Sequence, residues 1–248
     1  PNFMCLGAAK SGTTTLYDIL RQHPDVYIPS FKEPHFFDIP ENYKNGINWY
    51  EKNYFKSANK KIVADFTPSY FFDKEAPKRI FESLGGKVKF VVILRNPLDR
   101  AYSHYQMEYN TGNEDLSFEK AIEQEENRIS NDMKKMENDE TFYSVYFYRK
   151  SYLRRGIYVD QLKRWYKYFP KEQFLILKSE DLYSDPSKIY REVLSFLGLP
   201  KHDLNSFEAH RMRKYSSIDP KTREKLSKHF RPYNEQLYQL LGRNFGWE

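Results

Sequence analysis

The sequence has 248 residues, 40% of them hydrophobic, and a formal net charge of +6. This length and composition predict a folded globular α/β protein with a substantial core. The 40 Lys and Arg residues are interleaved with 34 Asp and Glu residues and form no compact basic tract, so nucleic acid is not an expected partner.

Cys5 is the only cysteine, which excludes an intrachain disulfide and a cysteine-based metal site. It also favours a reducing, cytoplasmic setting. The Golgi lumen is the alternative if an anchor has been removed, and the early start of the first predicted strand suggests a domain trimmed from a longer protein. No stretch approaches 18 apolar residues, so no membrane span is expected.

The predicted elements begin with an apolar strand over residues 3–6, a loop of small residues and a helical pattern over 14–22. Further strands are predicted at 61–64, 88–94 and 174–177, and helices at 74–84, 99–109, 118 to about 128, 189–197 and 220–241. This alternation predicts a P-loop-like central parallel sheet with helices on both faces, in a single domain over 1–248. Residues 110–140 are highly charged and predict a solvated helical excursion, with a mobile substrate lid as the alternative.

The loop over residues 7–15 predicts a phosphate site. A strand, small residues and a helix N-terminus present free N–H groups and a positive dipole end to an anion. Lys10 precedes Gly12 by two residues, whereas in the common ATP or GTP loop a lysine directly follows the second glycine. The loop therefore disfavours a P-loop kinase, which stays open as an alternative, as does a non-catalytic nucleotide-binding module.

A second anion site is predicted at the end of the strand over 88–94. Arg95 lies where a parallel strand delivers ligand contacts, and its guanidinium suits a phosphate monoester. Asn96-Pro97 forces a turn, after which a helix carries Ser103, whose hydroxyl could join Arg95 on one anion.

These two motifs, residues 9–14 and 94–103, resemble the cofactor motifs of sulfotransferases that use 3′-phosphoadenosine 5′-phosphosulfate (PAPS), in the heparan/glycosaminoglycan-type branch and its bacterial relatives. The resemblance continues through residues 32–38, 67–70, 155–170 and 219–237, and so spans nearly the whole chain. It implies an enzyme that transfers a sulfuryl group by in-line displacement and releases adenosine 3′,5′-bisphosphate. No metal is required by this chemistry, and no His/Asp cluster has metal-binding spacing.

The resemblance also assigns cofactor-binding roles. The first loop would hold the 5′-phosphosulfate through Lys10, Ser11, Gly12, Thr13, Thr14 and Thr15, with Lys10 beside the leaving oxygen. Arg95 and Ser103 would bind the 3′-phosphate. Arg211 and Arg213 stand where relatives carry a Lys-Gly-Arg clamp, although Met212 replaces the usual glycine.

On the acceptor side, the resemblance implies that Glu33 is the general base, with His35 as a second candidate or a supporting partner. Phe66 stands where heparan-modifying relatives have a lysine, which favours a sugar face, a lipid or an acyl chain over a polyanion. His104 is expected to line the same cleft. The expected acceptor is a hydroxyl, less favourably an amine, of a carbohydrate, lipid-linked sugar or small metabolite; a hydroxyacyl chain on a carrier protein is the alternative.

Overall fold

A computed structural model of the chain describes residues 1–204 and 217–247. They divide into two compact units: residues 1–95 with 164–204, and residues 96–163 with 217–247. The predicted cofactor clamp, Arg211 and Arg213, lies outside the described residues. Within the described ranges, no helix has the length and apolar character needed to cross a membrane.

The first unit is built on a five-stranded parallel sheet. Its strands are β1 (Phe3–Gly7), β2 (Val26–Tyr27), β3 (Ile62–Phe66), β4 (Lys89–Leu94) and β5 (Phe174–Lys178), in the order β2-β3-β1-β4-β5. The predicted parallel sheet is confirmed. The sequence reasoning missed β2 because a strand of two residues is too short to show a period.

The α-helices of the described residues test the helices predicted over 220–241 and from residue 118. In chain order they are α1 (Thr13–Leu20), α2 (Pro40–Tyr43), α3 (Ile47–Tyr54), α4 (Ala76–Leu84), α5 (Pro97–Asn110), α6 (Phe118–Glu123), α7 (Glu125–Asn138), α8 (Val145–Lys150), α9 (Tyr158–Trp165), α10 (Ser179–Ser184), α11 (Pro186–Leu197) and α12 (Pro220–Leu241). The predicted helix over 220–241 is confirmed with the same bounds. The helix predicted from residue 118 is interrupted at Gln124 and continues further than expected, to Asn138.

Both faces of the sheet are covered by helices, as predicted. On one face, the buried side chains of β1, β3 and β4 pack against α1 and α11 in one cluster, which includes Phe3, Cys5, Leu16, Leu20, Ala64, Val91, Ile93, Val193 and Leu197. Successive side chains of a strand alternate, so Phe90 points to the other face. There its ring lies 4.7 Å from that of Phe169, which lies 5.7 Å from Phe81 of α4.

The second unit is helical and has its own core. Apolar side chains of α5, α6 and α12 form a buried cluster that includes Leu98, Ala101, Tyr105, Phe118, Ile122, Leu226 and Phe230. Fully burying a leucine, isoleucine or phenylalanine side chain of this cluster contributes about 1.5–3 kcal/mol. The charged segment over 110–140 contributes α6 and α7 to this unit, and its proposed role as a lid stays a prediction.

Glu114 ties several parts of the second unit together. Its buried carboxylate accepts two hydrogen bonds from Arg128, at 3.0 and 3.1 Å, one of 3.0 Å from Lys150 and one of 2.8 Å from Tyr152. Burial opposes ionisation of Glu114, but these donors lower its pKa to about 2. Some charged side chains of the 110–140 segment, such as Glu114 and Arg128, are therefore paired with each other inside the protein and are not all solvated.

Candidate active site

The junction of β1 and α1 forms the predicted anion cradle in the first unit. Because the first N–H groups of a helix have no intrahelical acceptor, the start of α1 offers free donors. Gly12 precedes the helix with φ 99°, and a Cβ atom there would lie 3.1 Å from Leu182 Cδ2. Glycine therefore allows both the left-handed backbone and the close packing. Lys10 also has a positive φ, 72°, which is uncommon for a residue with a side chain.

Two hydroxyls of this cradle fit an anionic ligand. Ser11 and Thr15 are 0% and 1% exposed, and neither Ser11 Oγ nor Thr15 Oγ1 has a hydrogen-bond partner among residues 1–204 and 217–247. Leaving a buried donor unsatisfied is costly, so such groups usually have a partner. The oxygens of a bound phosphosulfate would satisfy both hydroxyls, and the residues present fit that group.

The structure brings Arg95 to this same cradle. Arg95 directly follows β4, and its Nη1 donates a hydrogen bond of 3.2 Å to the carbonyl oxygen of Lys10. The guanidinium therefore lies beside the cradle, in the first unit. Ser103, its predicted partner, lies on α5 of the second unit and is 4% exposed.

The candidate base Glu33 lies between two cations in the segment that joins β2 to α2. Its Oε1 is 3.2 Å from Lys32 Nζ, and its Oε2 is 3.6 Å from His35 Nε2. Partial burial raises the pKa of Glu33, but His35 and Lys32 outweigh it and hold the pKa below its usual value. Glu33 and His35 both have positive φ, 63° and 50°, and such strain in a short segment is typical of functional sites.

His35 is held by two groups that the sequence reasoning did not assign. Its Nδ1 lies 2.8 Å from Asp38 Oδ2 and 3.2 Å from Ser69 Oγ, and Ser69 also donates to Asp38. Burial lowers the pKa of His35, but Asp38 and Glu33 raise it to about 10. His35 is therefore an imidazolium at neutral pH. Asp38 and Ser69 both lie in stretches that carry the resemblance, residues 32–38 and 67–70, but no local pattern pairs Ser69 with His35.

Lys32 connects the base to the cradle, and the sequence reasoning missed this link too. Its Nζ donates a hydrogen bond of 2.7 Å to Thr14 Oγ1, in the first turn of α1. It also lies 5.9 Å from the centre of the Tyr17 ring. The predicted cofactor residue Thr14 and the predicted base Glu33 are thus joined through one ammonium group.

A buried network holds the segment that follows His35. The hydroxyl of Tyr70 accepts hydrogen bonds from the N–H groups of Phe36 and Phe37, at 3.0 and 3.4 Å, and donates to Asp65 at 3.2 Å. Asp65 also accepts from Tyr50 at 2.5 Å. Burial raises the pKa values of Asp65, Tyr50 and Tyr70. This network fixes the backbone from which His35 projects.

Two predicted acceptor contacts lie in cores. Phe66 is 1% exposed and packs against Tyr17 and Phe3, with ring centres 5.6 and 6.0 Å away. His104 is 2% exposed, and its ring centre is 5.0 Å from that of Tyr152. Enclosed side chains of this kind stabilise packing, so we leave both residues out of the acceptor site. No group of three or more His, Cys, Asp or Glu side chains in the described ranges could hold a metal ion.

Comparisons with known proteins identify the family of this chain. The family model described as "Sulfotransferase domain" matches residues 1–237. Mouse heparan sulfate glucosamine 3-O-sulfotransferase 5 is 30% identical, over 100% of this chain and 74% of the relative. A solved sulfotransferase from Alicyclobacillus acidocaldarius is 28% identical, with a TM-score of 0.80 over 99% of this chain and 97% of that one. The sulfotransferase domain from the curacin biosynthetic pathway, 15% identical with a TM-score of 0.51, shares the fold over 81% of this chain and 74% of that one.

The family model and the 30% identical relative cover the β1–α1 cradle, the end of β4 and the Glu33 segment alike. The resemblance predicted from the sequence motifs is therefore confirmed. The chain belongs to the sulfotransferase family and is a PAPS-dependent sulfotransferase.

Proposed function

We propose that this sulfotransferase transfers the sulfuryl group to a hydroxyl of a carbohydrate, with Glu33 as the general base and Lys10 beside the leaving oxygen. The observation that carries the proposal is the ion-paired Glu33, which Lys32 joins to the first turn of α1 through Thr14. A carbohydrate acceptor is supported by relatives at 30% identity that are named for glucosamine in heparan sulfate. Lipid and carrier-bound acyl acceptors stay as alternatives.

Glu33 is better suited than His35 to accept the proton of the acceptor. A general base must be in its deprotonated form, and the lowered pKa of Glu33 keeps it a carboxylate at neutral pH. The pKa of about 10 keeps His35 protonated. His35 therefore acts as a positioning residue, which orients Glu33 and balances its charge through their ion pair of 3.6 Å.

Lys10 and the cradle act on the donor. PAPS supplies the sulfuryl group, and transfer forms the acceptor O–S bond while the S–O bond to adenosine 3′,5′-bisphosphate breaks. The acceptor proton passes to the Glu33 carboxylate. An ammonium group at Lys10 would stabilise the negative charge that develops on the leaving oxygen, and preorganised charges of this kind are a large part of catalysis.

The remaining cofactor roles follow the family resemblance. Ser11, Gly12, Thr13, Thr14 and Thr15 would hold the 5′-phosphosulfate, a role supported by the two unsatisfied buried hydroxyls. Arg95 would bind the 3′-phosphate, a role that comes from the resemblance; its hydrogen bond to the carbonyl oxygen of Lys10 places its guanidinium beside the cradle. Ser103, Arg211 and Arg213 complete the proposed set on the resemblance alone.

The test is transfer of radiolabelled sulfate from PAPS to a panel of carbohydrates, lipids and carrier-bound hydroxyacyl chains. Lys10→Ala should lower turnover by about 10²–10³-fold, with the affinity for adenosine 3′,5′-bisphosphate largely retained. Lys44→Ala, which removes an exposed lysine paired with Glu41, is the matched control. Unchanged turnover in Lys10→Ala would remove Lys10 from catalysis, and near-normal transfer by Glu33→Gln at saturating acceptor would exclude Glu33 as the base.

A further inference from the structure

Phe31 is the most exposed large apolar side chain of the described residues. It is 64% exposed, and the next, Tyr109, is 51% exposed. Single apolar side chains are common on protein surfaces and need no explanation by themselves. The exposure of Phe31 gains significance from the way its backbone is held and from the groups beside it.

The chain on both sides of Phe31 is bonded to α1, through a backbone carbonyl before it and through a side chain after it. Two residues before it, the carbonyl oxygen of Pro29 accepts a hydrogen bond of 3.2 Å from the Tyr17 hydroxyl. One residue after it, Lys32 donates its hydrogen bond of 2.7 Å to Thr14 Oγ1. The segment that carries Phe31 is therefore held against α1 by a hydrogen bond on each side of Phe31.

The ring of Phe31 ends a row of aromatic side chains. Its centre lies 5.9 Å from that of Tyr54, which lies 5.9 Å from Trp49, and Trp49 stacks on buried Phe36 at 6.3 Å. We call Phe31, Tyr54, Trp49 and Phe36 the aromatic row. Tyr54 and Trp49 are half-buried, so the row leads from the core to the surface and ends at an open aromatic ring.

The open end of the aromatic row lies next to the candidate base. Phe31 and Glu33 are two residues apart, which limits the distance between their Cα atoms to about 7 Å. An oligosaccharide that brings one hydroxyl to the Glu33 carboxylate is therefore long enough to place a neighbouring ring on Phe31.

The surroundings of Phe31 favour a sugar ring over an acyl chain. Lys32 and Glu33 follow it directly, and the three exposed residues of α3 immediately before Tyr54 are Glu51, Lys52 and Asn53. An acyl chain laid over this surface would take charged groups out of water without replacing their hydrogen bonds. A pyranose ring places C–H groups on an aromatic face while its hydroxyls reach the polar rim.

We propose that Phe31 and Tyr54 form an acceptor subsite, which binds the C–H face of a sugar ring in the same chain as the ring that is sulfated. This inference rests on the proposed function, since it takes Glu33 as the group that meets the reacting hydroxyl. The aromatic contact that the sequence analysis expected from Phe66 is thereby assigned to Phe31. The subsite selects the acceptor and takes no part in the sulfuryl transfer.

The experiment measures acceptor binding and turnover in matched variants of the whole chain. The probes are a neutral tetramer of N-acetylglucosamine and a hexasaccharide of alternating glucosamine and glucuronic acid, each titrated calorimetrically with adenosine 3′,5′-bisphosphate present. Phe31→Ala and Phe31→Leu should weaken binding of at least one probe, and raise its KM, by roughly fivefold to tenfold with kcat little changed. Phe31→Trp should keep the wild-type binding affinity and KM, because tryptophan also offers an aromatic face. Phe81→Ala, which removes another exposed phenylalanine, should have no effect.

The outcomes separate this inference from the proposed function. Wild-type affinity of Phe31→Ala for both saccharides, or no saccharide binding by the wild-type chain, would overturn the subsite. Weakened binding in Phe31→Ala but not in Phe31→Leu would also overturn it, because a leucine keeps an apolar contact but loses the aromatic face. Sulfate transfer that depends on Glu33 but not on Phe31 would refute the subsite and leave the proposed function intact. If no acceptor in the panel were sulfated, the proposed function itself would fail.

Discussion

Lys32 Nζ lies 2.7 Å from Thr14 Oγ1 and thereby joins the segment that carries the base to the helix that forms the anion cradle. The same ammonium is 3.2 Å from Glu33 Oε1. It is one of the two cationic neighbours, with His35, that keep the pKa of Glu33 low against the effect of burial. Donor binding and proton acceptance are therefore expected to depend on one side chain.

Lys32→Met should move the acid limb of the pH dependence of kcat/KM to higher pH. Removing the cation raises the pKa of Glu33, so the carboxylate form is lost at a higher pH as the solution is acidified. The measurement is a pH–rate profile with a buffer series at constant ionic strength. Thr14→Val removes the hydrogen bond but keeps the charge, and should shift the limb less. An acid limb that stays in place in Lys32→Met would contradict the role of Lys32.

Arg95→Ala should weaken binding of adenosine 3′,5′-bisphosphate far more than binding of adenosine 5′-phosphate. A hydrogen bond to a charged group contributes about 1.5–3 kcal/mol, which corresponds to roughly a tenfold to hundredfold change in Kd. Calorimetric titration of both nucleotides against both proteins measures the difference. Equal weakening of the two nucleotides would show that Arg95 supports the cradle, through its contact with Lys10, without recognising the 3′-phosphate.

The ion pair of His35 should make stability fall at alkaline pH. The pKa of this histidine is raised from 6.5 to about 10, so its contribution is fully present below about 6.5 and is lost as the pH rises through about 10. The expected result is a difference in Tm between the wild type and His35→Gln that shrinks across this window. The side chain is 33% exposed, so solvent screening keeps the effect modest. A difference that is constant with pH would contradict the assigned charge.

Glu114→Gln should destabilise the second unit by about 3–5 kcal/mol, because Lys150 would lose a buried partner. The pKa of Glu114 is lowered from 4.5 to about 2, so its stabilisation is present above about 4.5 and is lost as the pH falls through about 2. Urea unfolding at pH 7 measures the change. Glu126→Gln is the matched control: it breaks the exposed pair with Arg154, at a cost of about 0–1 kcal/mol. Equal effects of the two substitutions would refute the structural importance of Glu114.

The features that the sequence determined by itself are local. The β1–α1 cradle could be predicted because an apolar run, small residues and a helical period follow one another within about twenty residues. The bounds of α12 could be predicted from local signals at its two ends. Asp219 caps the N-terminus, Pro220 occupies the first helical position, and Gly242 follows the last turn in a left-handed conformation. The motifs that flank these elements were enough to identify the family.

What the tertiary structure decided is how distant segments meet. Parallel pairing of β2 with β3 brings Ser69, which follows β3, to His35 and Asp38, which follow β2. No sequence period relates residues that follow two different strands. Burial assigned Phe66 to the core although its place in the motif suggested a ligand contact. The charge of His35 depends on carboxylates that surround it only after folding, because electrostatic effects on a pKa follow distance in space.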